Sequence, residues 1–288
     1  MNRGTALLCI FFSWQILHAQ PAGNSLLWEI SGNGMAESSY ILGTMHVFDM
    51  DDFILADEVD SLIEHTQTTV LEMDLTDTMA IYNSVIQLLM PAGETISKYL
   101  TDAEYAKLDA YLTELMGTGL ASFDNTKPIF VMSIVLMGGG SAGEDNSVDL
   151  YILDEADYAD KKFGGLETFS QQLAMFDSIP YADQVRFIMD ALEDANKGDD
   201  TRDALSDYYA KNDLNQLSTL VLADDPLMTA YSDVLLFNRN RNWIPVMEKY
   251  MQEGPVFFGV GAGHLVGPKG VLELLTQAGY TLTPILPK

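Results

Sequence analysis

Cysteine is almost missing from this chain: the single residue, Cys9, lies inside an apolar stretch at the N-terminus. Downstream of it there is no thiolate or disulfide partner, so any metal site must be built from His, Asp and Glu. Positive charge is also scarce. Fifteen Lys and Arg face 42 Asp and Glu, a formal charge of −27, and without a basic patch the chain is not expected to bind nucleic acid or an anionic membrane. Histidine is rare, with four in 288 residues. No Pro- or Ser-rich linker and no internal repeat of about 20–50 residues is visible.

Long apolar runs are limited to the beginning, "MNRGTALLCIFFSWQILHAQ", where Arg3 precedes an apolar stretch ending at the small residue Ala19. That stretch is shorter than the roughly 20 residues needed to span a bilayer. It reads as a secretory signal cut after Ala19. Cys9 sits within the run, not at the cleavage position, so a lipoprotein signal does not fit. The expectation is a signal over residues 1–19 and one domain over 20–288, exported to a periplasmic or extracellular space, soluble and without a stable membrane anchor. Its oligomeric state is open.

Four segments read as strands: "SSYILGTMH" (38–46), "TTVLEMD" (68–74), "KKFGGLET" (161–168) and "PVFFGVGAGH" (255–264). "LLWEIS" and "YTLTPI", near the two ends of the mature chain, read as additional edge strands. Most of the rest has helical periodicity. A helix-like stretch runs from Asp51 to His65, and "TDAEYAKLDAYLTELM" opens on a capping box of Thr101 and Glu104. "YADQVRFIMDALEDA" and "DPLMTAYSDVLLFNRNRNWIPVMEKYM" continue the pattern, and Gly279 marks a helix C-terminus. Strands alternating with helices predict an α/β fold: a central, largely parallel or mixed sheet flanked by helices, with a large helical insertion in the middle of the chain.

In such sheets ligands bind beyond the carboxyl ends of the strands. The first strand ends at His46, the second carries Glu72 and Asp74, the third Glu167, and the fourth His264. Both histidines follow a glycine by three positions, Gly43 and Gly261. A lone histidine beside a strand is ordinarily a core or surface residue; two on the same step point to a shared site. Two imidazoles with one or two carboxylates are a sufficient shell for a divalent metal, and a spare carboxylate would move protons. The glycines would let the backbone turn tightly and approach a ligand. His65 reads as a solvated helical residue, and His18 leaves with the signal.

Other patterns carry less. "GGSAG" around Ser141 matches a nucleophile elbow, yet its surroundings read as a loop with no helix starting after the serine. "GVGAG" lacks the third glycine of a dinucleotide loop and a following acid for a ribose. Arg239, in "NRNRNW" late in a helix before the fourth strand, would clamp a carboxylate or an oxyanion; an exposed helical arginine reads the same way.

"YILGTMHV", "VLEMD", "GLETFSQQL", "NRNRNW" and "FFGVGAGHLVGPKGVLELLTQAGY" occur here in the order seen in the TraB/GumN family, which is related to the Tiki proteases and more distantly to erythromycin esterase-like proteins. The resemblance covers about residues 26–287 and is weakest over 76–145. It implies a metal-dependent hydrolase, most of all a metallopeptidase that prefers manganese or cobalt, with zinc also an option. His46, His264 and Glu167 match metal-site positions; Glu72, Arg239 and Asn240 match catalytic positions; Asp149 matches an acid of unassigned role at the start of a helix. The roles of Glu72 and Glu167, one ligand and one general base, are interchangeable at this level. The expected partner is a peptide or small-molecule substrate. The alternatives are a metal-, haem- or small-ligand-binding protein without turnover, and a metal-free esterase using one histidine.

Overall fold

The computed structural model describes residues 23–46, 48–138, 147–197, 200–223 and 226–288. The segment read as a signal, residues 1–19, and the "GGSAG" pattern around Ser141 (139–143) lie outside the described residues.

Six strands form one mixed sheet: β1 (Leu27–Gly32), β2 (Ser39–Thr44), β3 (Thr68–Met73), β4 (Lys162–Glu167), β5 (Val256–Gly261) and β6 (Tyr280–Ile285). Their order is β4-β3-β5-β2-β1-β6. β2, β5, β3 and β4 run parallel, while β1 is antiparallel to both β2 and β6. The sequence of β5 suits its interior position: "VFFGVG" is apolar on both faces, and its first five residues are buried, as a strand covered by helices on both sides must be. Burying Phe257 and Phe258 completely contributes about 2–3 kcal/mol each. β6 is the opposite case, alternating in exposure and carrying Pro284, which an edge strand tolerates.

"LLWEIS", expected at an edge, is instead interior. Leu26, Leu27, Trp28 and Ile30 are all buried, and β6 closes over the outer side of β1. A strand near a chain terminus has no need to lie at a sheet border when a later strand can cover it.

The helices are α1 (Ala56–His65), α2 (Thr78–Ser84), α3 (Asp102–Met116), α4 (Pro128–Gly138), α5 (Val148–Tyr158), α6 (Phe169–Phe176), α7 (Tyr181–Lys197), α8 (Asp200–Ala210), α9 (Leu214–Ala223), α10 (Pro226–Ser232), α11 (Asn238–Glu253) and α12 (Val271–Gln277). The capping box of α3 is formed on both sides, by Thr101 and Glu104. α1 begins later than its periodicity suggests, because Asp49 caps a separate 3₁₀ turn and Phe53 and Leu55 drop into the core. α10 and α11 are joined by a π turn over Asp233–Phe237, so Arg239 and Asn240 open α11 and do not fall late in a helix.

One apolar core surrounds the sheet. A second, around Leu108, Leu112, Leu120, Val131, Ile188 and Leu192, lies within the helical segments of the middle. Among the described residues no helix is long and apolar enough to cross a membrane.

Candidate functional site

The parallel strands end together, and the side chains that follow them meet at one edge. His264 follows β5 on a 3₁₀ turn (Ala262–His264) and is buried. Its Nδ1 lies 2.6 Å from Asn240 Oδ1, while Asn240 Nδ2 donates to the carbonyls of His264 (3.2 Å) and Lys269 (2.9 Å). Asn240 therefore pins both the ring and its loop. With Oδ1 as an acceptor, the proton sits on Nδ1 and Nε2 keeps its lone pair.

His46 follows β2, with its ring 76% exposed. Nδ1 is 2.7 Å from Asp149 Oδ2, and the other oxygen of Asp149 accepts from Thr44 Oγ1 at 2.8 Å. Asp149 stands in the first turn of α5, capped by Ser147. The same pairing leaves Nε2 of His46 facing outward. Below it, the buried Tyr209 donates to the Gly43 carbonyl at 2.7 Å and packs its ring on Phe48 and Phe53.

The two Gly-X-X-His steps touch. A Cβ on Gly43 would lie 2.8 Å from Leu265 and 3.0 Å from Ala262, and one on Gly261 would lie 3.3 Å from Glu72 Oε1. Neither glycine has a positive φ. Gly43 lets the two steps approach closely and Gly261 leaves room for Glu72; neither makes a left-handed turn.

Arg239 is the hub of the opposite half. It holds Glu167 through Nε (3.0 Å to Oε1) and Nη2 (2.6 Å), bonds Glu72 Oε2 through Nη2, and sets Nη1 3.0 Å from His264 Nε2. Its carbon lies 4.8 Å from the ring centre of Trp243, one helical turn on, whose indole N–H reaches Glu167 (3.4 Å) and whose ring packs on His264 at 4.5 Å. The π turn just before Arg239 supplies one more of its partners, the Leu235 carbonyl at 3.2 Å. Glu72 also accepts the Gly261 amide at 2.9 Å, with Oε1 3.6 Å from His264 Nε2. Asp74 turns away, its carboxylate closing a local turn with Thr76. His65 is exposed at the end of α1.

Burial alone would raise the Glu72 carboxyl; the positive charge of His264, Arg239 and His46 and the Gly261 amide outweigh it and hold it at about 2. Burial dominates at His264 and pushes it down to about 4. His46 moves the other way, to about 9, through its hydrogen bond to Asp149 and that carboxylate's charge. Burial would lower Arg239, but Glu72 and Glu167 raise it.

These shifts fix an acid sensitivity. The folded His264 binds its proton below the unfolded value of 6.5, so the stability it contributes is present above pH 6.5 and lost as pH falls toward 4. Glu72 contributes above pH 4.5, and its share is lost as pH falls toward 2. In chelator-treated protein, His264 alone lowers unfolding free energy on the order of 3 kcal/mol between pH 7 and 4. His264→Gln should flatten that slope in urea titrations. An unchanged slope refutes the neutral, buried His264.

The profile of the TraB/PrgY/gumN family matches residues 26–284. The chain belongs to that family. Among curated proteins, this TraB/PrgY/gumN member is 25% identical over 318 residues to Metalloprotease TIKI2 of Danio rerio, covering 91% of this chain and 61% of the relative. It is 24% identical over 319 residues to Metalloprotease TIKI1 of Homo sapiens (89% and 61%), and 22% over 324 residues to the Metalloprotease TIKI homolog of Nematostella vectensis (92% and 68%). The chain thus spans about three-fifths of the length of the vertebrate relatives it matches. No solved structure matches it significantly.

Three contributors to this strand-end cluster carry no role on sequence alone: Asp149 as partner of His46, Thr44 behind it, and Trp243 under Arg239 and His264. Only Trp243 had a local signal, its spacing of four from Arg239 on one helix face. The others depend on contacts about a hundred residues apart.

Proposed function

We propose that the protein is an exported, metal-dependent peptidase whose reaction takes place at the edge formed by His46, Glu72 and His264. The observation that carries this reading is the pinning of both imidazoles through Nδ1, to Asp149 and to Asn240, which leaves Nε2 as the ligating atom of each ring, that of His264 held 3.0 Å from Arg239 Nη1. That is the outer-shell support metal-bound histidines have. The relatives' name, metalloprotease, points the same way.

The donors fit a divalent cation in kind: two imidazoles, with the Glu72 carboxylate within electrostatic reach of both and placed to take a proton from water. Among the described residues, no three His, Cys, Asp or Glu side chains stand in a ligating arrangement. The physical reason is Arg239, whose guanidinium draws on the Nε2 of His264 and on Glu72. Cation uptake requires Arg239 to release those two groups while keeping Glu167. When bound, the cation supplies Lewis acidity that brings the pKa of water toward neutrality; manganese, cobalt and zinc all suit the donors.

Everything else comes from the chain. Glu72 faces both imidazoles and receives the proton of the attacking water. Arg239, freed on one side, donates to the developing oxyanion. Glu167, held by Arg239 and Trp243, keeps the guanidinium in position; this takes the place of the ligand role expected for it. Asn240 and Asp149 fix the two rings.

The test is cleavage of a peptide library by purified protein after chelation and after readdition of manganese, cobalt or zinc. Cleavage should fall at least about 10³-fold on chelation and return with metal. A second reading, metal-free esterase chemistry at alkaline pH, draws on the exposed His46 ring oriented by Asp149, which acts as a base only once it loses the proton that Asp149 holds on it to about pH 9. Hydrolysis that survives exhaustive chelation selects it over the first.

A further inference from the structure

α2 and the 3₁₀ turn after it (Val85–Leu88) lead from β3 into the helical middle and carry an apolar face that no element covers among the described residues. Met79 is 65% exposed, Tyr82 74%, Ile86 73% and Leu89 47%. Their spacing puts them along one side of the segment. Single exposed apolar residues are ordinary, but a contiguous row of large ones marks a contact surface. The segment packs on α6, and Gln87 donates to Ser170 Oγ at 3.0 Å. α6 begins two residues after Glu167 and also touches the π turn that precedes Arg239. The apolar face therefore stands beside the site, on its β4–β3 side.

The other side is different in kind. The loop that follows His46 carries Asp49, Asp51 and Asp52, all exposed. β2 and β3 are separated only by β5, so the strand ends that lead to the acidic loop and to the apolar segment lie about 10 Å apart, the reach of about three residues of extended chain.

We propose that this apolar row and the acidic loop together dock a cationic, apolar peptide, its apolar side chains on α2 and a basic side chain about three to five residues away on the aspartates. The proposal rests on the peptidase reading above and names its substrate class. Charge selects the occupant. A net charge of −27 repels an anionic lipid surface and disfavours a second copy, while it draws a cationic chain toward the site.

The experiment measures binding by fluorescence anisotropy of a labelled dodecapeptide of Lys, Leu and Phe, beside the same peptide with Glu in place of Lys. The protein is expressed as the full chain in an exporting host. Tight, salt-sensitive binding of the Lys peptide alone is expected. Tyr82→Ser/Ile86→Ser should weaken it at least about tenfold with net charge unchanged. Asp49→Asn/Asp51→Asn/Asp52→Asn should weaken it severalfold and reduce its salt dependence. Tyr158→Ser, an exposed residue at the far end of α5, should have no effect.

Equal binding of the two peptides, or no effect of Tyr82→Ser/Ile86→Ser, overturns the proposal. So does self-association or vesicle binding that this double variant abolishes while peptide binding persists. Specific binding without cleavage under any metal leaves the docking surface standing and removes the peptidase reading. Metal-dependent cleavage indifferent to both variants does the reverse.

Discussion

Arg239→Met should cost on the order of 3–5 kcal/mol of stability, more than any other single change at the strand ends. Arg239 is 11% exposed and neutralises two carboxylates that are themselves 13% and 9% exposed. Methionine restores most of the volume against Trp243 but leaves Glu72 and Glu167 side by side with no guanidinium. Breaking a buried pair on one side leaves uncompensated charge, which costs more than the intact pair ever contributes. The pH dependence identifies the cause. Without Arg239, burial and the facing Glu167 carboxylate push the Glu72 carboxyl above its unfolded value. Protonation then stabilises the fold, and the deficit shrinks as pH falls from 8 toward 5. Urea unfolding of the variant and wild type at both pH values measures this. A deficit below about 1 kcal/mol, or one that does not change with pH, would mean that solvent screens the network as it does surface pairs.

Glu72→Gln and Glu167→Gln should separate the two glutamates. Glu72 has one oxygen on the Gly261 amide, 3.6 Å from His264 Nε2. It is the carboxylate that faces the imidazoles, so its amide should lower kcat by about 10³-fold with little change in KM, as loss of a general base does. Glu167 has its oxygens on Arg239 and Trp243. Glu167→Gln should lower kcat by about 10²-fold through a misplaced guanidinium, with metal content unchanged. Steady-state kinetics and elemental analysis of both variants decide the matter. Loss of metal in Glu167→Gln, with metal kept in Glu72→Gln, would make Glu167 a ligand of the cation and not merely the anchor of Arg239.

What the sequence reveals and what it hides divide along contact range. The capping box of α3 and the strands near His46, Glu72, Glu167 and His264 all follow from residues within a few positions of one another. The helical middle likewise follows from local periodicity. The position of β5 between β2 and β3 does not, because strand order depends on crossovers and not on any strand's own pattern. β1 shows the same limit: Trp28 and its apolar neighbours suit an interior strand as well as an edge. The π turn before Arg239 keeps helical periodicity almost intact, so the run over 225–251 reads as one helix. Asp149 is the most instructive case. Its place in the first turn of α5 is visible, but its partner His46 lies 103 residues earlier, and only the folded sheet edge brings them together. The glycines of both histidine steps were visible, while their function, letting Gly43 rest on Ala262 and Leu265, was not.

The most direct measurement is metal content by elemental analysis of protein produced from the full chain, beside the His46→Ala/His264→Ala double variant. About one divalent ion per chain in the wild type, absent from the variant while circular dichroism shows the fold retained, is the expected result. A wild type that holds no metal and takes up none from excess manganese, cobalt or zinc would contradict it, as would a double variant that binds as much as the wild type.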